Sequence, residues 1–252
     1  MESNKNKPAR LSAKDIPVEE RLIFALDVPT VEEAKNLVEE LGDSVRFYKL
    51  GLEIFMAGGY YELIRWLRDR DKKVFVDLKF FDVPETVRSA VRQLKGRGVS
   101  FVTVHGNESI LKAAVEEKND LGILAVTVLT SLDENDIKDL GFKIKSIKSL
   151  VLSRAKRALE AGCDGVISSG LEASELRESF GGQFIIITPG IRPVKNIDDQ
   201  KRTVDVEEAF KNGADYIVVG RPIKKAPDRK LAAQEIQRRI AAVFGGTGGV
   251  SA

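Results

Sequence analysis

Eight short apolar runs recur along the chain, and each is followed by a longer segment in which apolar residues return every three or four positions. The runs are LIFALD (22–27), RFYKLG (46–51), KVFVDL (73–78), SFVTVH (100–105), LGILAVT (121–127), DGVISS (164–169), QFIIIT (183–188) and DYIVVG (215–220). They are rich in Val and Ile and apolar on both faces, the pattern of parallel strands covered by helices. The intervening segments carry helix punctuation. TVEEAKNLVEELG predicts a helix with Thr30 as N-cap, Glu33 three residues on and Gly42 as C-cap. PETVRSAVRQLKGRG predicts one that begins with Pro84 and stops at glycine. The phrases LEAGCDGVISSG and FKNGADYIVVG repeat one order of helix, glycine stop, turn, strand and glycine.

Eight strands alternating with helices in 252 residues predict a single-domain α/β protein, a (β/α)8 TIM barrel. A doubly wound open sheet is the alternative, but ALDVPTVEEA stands after the first strand where that fold's G-x-G-x-x-G would be. The expected boundaries are a polar N-terminal arm over 1–20, the barrel over 21–243 and a flexible tail over 244–252. Two long connections, residues 130–146 and 189–203, are candidate binding loops or lids.

Acids and bases nearly cancel, 38 against 40, so the overall charge supports neither a nucleic-acid nor a membrane partner. The polar first twenty residues lack the apolar core of a signal peptide, and no stretch is apolar enough to span a bilayer. With a single cysteine, Cys163, no internal disulfide is possible. These features predict a cytoplasmic protein. A single histidine, His105, removes multi-histidine zinc sites and leaves one residue for any Ser-His-Asp triad. Cys163 precedes a strand and His105 ends one, which argues against a Cys–His dyad.

In such a barrel the site lies at the carboxyl ends of the strands. Read in order, those ends supply Asp27, Lys49, Asp77 with Lys79, His105, Thr130 with Ser131, Pro189-Gly190 and Gly220-Arg221. Two lysines and two aspartates thus converge from the first three strands. On a regular strand Asp77 and Lys79 face the same side. Buried charges cost several kcal/mol unless paired, and an alternating array offsets that cost. A structural ion-pair network rimming the barrel is the plainer reading of one such pair; four charges at strand ends point to a site. The loops TPGIRP and VGRPI follow strands seven and eight, where barrels bind phosphate, with glycines for close backbone approach and Arg221 for a forked contact.

With these residues assembled, the chain resembles the orotidine 5′-phosphate decarboxylase family from about RLIFALDVPT to VVGRPI. DLKFFDVPETV matches the family's Asp-x-Lys-x-x-Asp pattern, and YKLGLEIF, TPGIRP, DDQKR and GADYIVVGRPI match in order. The resemblance implies conversion of orotidine 5′-monophosphate to UMP and CO2, the last step of pyrimidine nucleotide synthesis, without metal or organic cofactor. It implies Lys79 as the proton donor to pyrimidine C6, Asp77 beside the departing carboxylate, and Lys49 and Asp82 completing the array. It makes the protein a homodimer, because the motif's last aspartate, here Asp82, reaches the neighbouring subunit's site. Asp27 and Thr86 would contact ribose and Ser131 the pyrimidine. Gln200 and Arg221 would hold phosphate together with Pro189, Gly190, Arg192 and Gly220. Phe81 stands where histidine is common in bacterial members, and Glu85 where asparagine is frequent. The nearest rival is a magnesium-dependent sugar-phosphate enzyme with the same motif. It needs a metal-binding carboxylate near the end of strand two, where this chain has Lys49.

Overall fold

In the computed structural model, which describes residues 11–191 and 204–245, the eight apolar runs form eight parallel strands. They are β1 (Leu22–Ala25), β2 (Phe47–Leu50), β3 (Lys73–Phe80), β4 (Val99–Val104), β5 (Gly122–Val126), β6 (Gly165–Ile167), β7 (Ile185–Thr188) and β8 (Tyr216–Val219). Each pairs with its sequence neighbours, and β1 pairs with β8, so the sheet closes as a barrel in the order β1 to β8.

Two apolar layers result. Residues facing outward join the surrounding helices in one large buried cluster, with Phe24, Tyr48, Val76 and Val102 among the strand contributors. The inward set is Ile23, Ala25, Phe47, Phe75, Phe101, Leu124, Ile187, Tyr216 and Val218. Its centre is aromatic: Phe47 stacks on Phe101 at 5.7 Å, and Tyr216 meets both rings edge-on. Below this plug the N-terminal segment closes the barrel. Ile16 packs on the inward cluster, and Ser12 and Lys14 donate hydrogen bonds to the buried Asp215 carboxylate.

The helices follow their caps. Thr30 accepts from the Glu33 N–H at 3.1 Å, and the helix Val31–Leu41 buries Ala34, Leu37, Val38 and Leu41 before Gly42 ends it at φ +52°. The helix Pro84–Arg92 begins at its proline but stops short of the predicted glycines, because residues 93–98 tighten into successive i→i+3 turns. The connection after β5 contains a helix of its own, Glu134–Asp139, held by a capping box on Asp133. The predicted tail boundary also shifts. Phe244 lies in the helix Arg229–Gly245, packed against Phe210 at 5.2 Å and beneath the Arg21 guanidinium at 3.9 Å. Among the described residues no helix is long and apolar enough to cross a membrane.

Candidate active site

The charged residues continue the inward face of the first strands. Lys49 lies two residues beyond Phe47, Asp77 two beyond Phe75 and Asp27 two beyond Ala25, so period-two geometry sets each above the aromatic plug. There they line a cavity of about 260 Å3 together with Lys79, Thr130, Pro189, Gly190, Gly220 and Arg221. Its apolar lining includes Val126, Val128, Leu129, Ile167 and Val218.

The four charges alternate in space. Asp27 Oδ1 lies 3.2 Å from Lys49 Nζ, Lys49 Nζ lies 3.4 Å from Asp77 Oδ2, and Asp77 Oδ1 accepts from Lys79 Nζ at 2.9 Å. Burial opposes ionisation of Asp77, yet Lys49, Lys79 and hydrogen bonds from Lys79 and Thr103 hold its pKa below the ordinary aspartate value. Burial likewise opposes the Lys49 ammonium, and Asp77 and Asp27 outweigh it, raising the Lys49 pKa. Gly51 leaves room for this pairing: a Cβ there would sit 3.0 Å from both Asp27 Oδ1 and Lys49 Nζ.

Lys79 reaches the cavity by a route that strand periodicity does not predict. Its φ is +51°, and the β3–β4 register breaks between Val76 and Phe80. The chain therefore kinks at Lys79 instead of continuing as a flat strand. The Lys79 N–H donates at 2.9 Å to the hydroxyl of Thr103, which itself donates at 2.9 Å to Asp77 Oδ1. Thr103 was absent from the sequence-based site. The available signal was its place two residues beyond the inward Phe101, the same step that leads to Lys49 and Asp77.

At the far side of the cavity, Gly190 turns the chain at φ +79°, and Gly220 caps the short helix Arg221–Lys224. This is the loop pair that barrels use for phosphate. Ile191, near the start of the second long connection, and Val204, just after its end, form a parallel bridge. Arg192 and Gln200 lie outside the described residues.

Three expected residues stand apart. Asp82 and Thr86 are exposed and do not line the cavity of their own chain; Asp82 accepts from the Val83 N–H at 2.7 Å. Ser131 is exposed beside Thr130, which does line the cavity. The charge array within one chain is therefore Asp27–Lys49–Asp77–Lys79. His105 lies in an adjoining cavity with its ring edge-on to Phe81 at 5.4 Å, and burial, then Arg154 and Lys79, lower its pKa.

Fold and site together define a (β/α)8-barrel protein with a cavity lined by fixed charges at the carboxyl ends of its strands. The model of the orotidine 5′-phosphate decarboxylase / HUMPS family matches residues 20–236, and the chain belongs to that family. The orotidine 5′-phosphate decarboxylase of Methylococcus capsulatus is 61% identical over 239 residues, covering 94% of this chain and 98% of that protein. The one from Stenotrophomonas maltophilia is 48% identical over 229 residues, 90% of this chain and 95% of its own. Among solved structures, orotidine 5′-phosphate decarboxylase from Lactobacillus acidophilus superposes with a TM-score of 0.78 at 34% identity, covering 88% of this chain and 99% of that one.

Proposed function

We propose that this chain decarboxylates orotidine 5′-monophosphate to UMP and CO2, using Lys79 as proton donor within the charge array. The observation that carries the reading is the Lys79 ammonium, 2.9 Å from Asp77 in a cavity that also presents Arg221 and Gly190. Breaking the C6–carboxylate bond leaves its electron pair in the plane of the pyrimidine, where the ring carbonyls do not delocalise it directly. A preorganised cation stabilises that pair as it develops, and costs no reorganisation when the bond breaks. Lys79 then transfers a proton to C6 and is reprotonated by solvent. Asp77 beside the substrate carboxylate repels it in the ground state, and loss of neutral CO2 relieves that contact. The apolar lining that Val126, Val128 and Ile167 contribute suits a neutral leaving molecule better than an anion.

The phosphate sits at the Pro189-Gly190 and Gly220-Arg221 loops, with Arg192 and Gln200 as further ligands, and Asp27 contacts the ribose. The reaction uses no metal or organic cofactor: the Lys49 ammonium lies between Asp27 and Asp77 and repels a divalent ion that those carboxylates would otherwise attract. The working unit is a homodimer in which Asp82 and Thr86 complete the partner's site, with Ser131 reading the pyrimidine. Supporting this, Asp82 is flanked by Phe81 and Val83, which expose 67% and 63% of their surface, an apolar patch that a second subunit would cover. The test is orotidine monophosphate absorbance followed with EDTA present. Steady loss of substrate is expected; absence of turnover, or activity restored only by magnesium, overturns the assignment.

A further inference from the structure

Lys79, the second-to-last residue of β3, is left-handed, a conformation that costs a non-glycine residue about 1–3 kcal/mol and persists only where its surroundings hold it. What holds it is on β4. The β3–β4 ladder is interrupted between Val76 and Phe80 and resumes with the Phe80–Val104 pair, where the His105 N–H donates to the Phe80 carbonyl at 3.0 Å. Within the gap the Lys79 N–H is bonded to a side chain, the hydroxyl of Thr103, at 2.9 Å. Thr103 is fully buried. Its single hydroxyl hydrogen goes to Asp77 Oδ1 at 2.9 Å, so a lone pair is left to receive the Lys79 N–H. One oxygen thus fixes the carboxylate of Asp77 and the backbone of Lys79 at once. Those two groups are in turn joined through the Lys79 ammonium at 2.9 Å, closing a small ring of hydrogen bonds.

We propose that Thr103 is a positioning residue for the reaction: its hydroxyl locks the orientation of Asp77 and the kink at Lys79 together, and so aims the Lys79 ammonium at the reacting carbon. The inference rests on the decarboxylase reading for its kinetic consequence. Thr103 touches neither the phosphate loops nor the ribose-contacting Asp27, so it acts on the chemical step and leaves ground-state binding unchanged. A displacement of about 1 Å in a reacting group can cost on the order of 100-fold in rate.

The experiment compares Thr103→Val, Thr103→Ala and Thr103→Ser with the parent. It reads kcat and KM for orotidine monophosphate, UMP affinity by calorimetry, and the hydrogen-exchange rate of the Lys79 amide by NMR. Val and Ala are expected to lower kcat about 10- to 100-fold with KM and UMP affinity within about twofold of the parent. Ser retains the hydroxyl and restores most of kcat. Should Val not fold, Ala against Ser decides. Equal kcat in the parent, Val and Ala overturns the proposal; so does an equal loss in Ser, which would make the methyl group the important one. The Lys79 amide is expected to exchange faster in Val and Ala but not in Ser. Unchanged exchange in all three overturns the proposal whatever the substrate. A parent inactive on orotidine monophosphate would refute the decarboxylase reading and leave the exchange result to judge Thr103.

Discussion

Replacing Asp77 by asparagine keeps the shape of the side chain and removes the charge that joins the two lysines. The structure sets the size of the effect. Asp77 and Lys49 expose only 13% and 11% of their side chains, so their 3.4 Å contact is weakly screened. Lys79 exposes 35%, and solvent discounts its 2.9 Å contact to the scale of a surface pair, about 0–1 kcal/mol. Removing one partner of a buried pair costs about 3–5 kcal/mol, and Lys49 retains Asp27 at 3.2 Å, which places the loss at the low end, about 3 kcal/mol. Asp77 ionises below its ordinary value of 3.8 in the folded chain, so its stabilising contribution is present above that value and is lost as pH falls through the folded pKa. Urea unfolding should therefore show Asp77→Asn weaker than the parent by about 3 kcal/mol at pH 7, with the gap narrowing below pH 3.8. Turnover should fall by at least about 100-fold, because the Lys79 ammonium loses the carboxylate that holds it. An Asp77→Asn protein as stable as the parent at pH 7, or a gap that widens on acidification, would show that the Asp77 carboxylate does not stabilise the fold through Lys49.

Three further outcomes follow from other parts of the molecule. If Asp82 completes the partner's site in a homodimer, as proposed, mixing inactive Asp82→Ala with inactive Lys79→Ala regenerates activity, because a mixed dimer then holds one intact site; no recovery after verified subunit exchange would place Asp82 in its own chain's site. Asp215 is fully buried, binds Arg177 Nη2 at 2.5 Å and receives Lys14 and Ser12. Asp215→Asn leaves the Arg177 cation buried, and a loss of about 3–5 kcal/mol in urea unfolding is expected, against less than about 1 kcal/mol if the floor contacts are incidental. Burial, then Asp164, pushes the Cys163 thiol up to about 12, so native protein at pH 8 should resist alkylation while unfolded protein reacts; rapid native labelling would contradict the buried placement.

Most of the fold was legible in the chain because strands buried on both faces leave unbroken Val/Ile runs and helices between them leave caps such as Thr30 and Pro84. Asp27, Lys49 and Asp77 were legible for the same reason: regular strands carry side chains by twos onto one face. Lys79 lines the cavity, but not by the period-two geometry expected of a regular strand. Its left-handed backbone is stabilised by Thr103 on the next strand, and local periodicity does not register a partner 24 residues away. Asp82 and Thr86 are legible only as members of a motif, since within one chain they face solvent. The end of the helix Pro84–Arg92 was misplaced because Gly96 and Gly98 serve turns that begin before them.

Everything in the proposed reaction depends on a fixed ammonium at residue 79 meeting the electron pair left by CO2. The measurement that tests it most directly is Lys79→Ala, assayed for UMP binding and for orotidine monophosphate turnover in one preparation. UMP affinity should stay close to the parent's, because the phosphate loops and Asp27 are untouched, while turnover is lost. Turnover within about tenfold of the parent would contradict it, since removing even one hydrogen-bond donor that stabilises a developing anion costs about 100-fold or more.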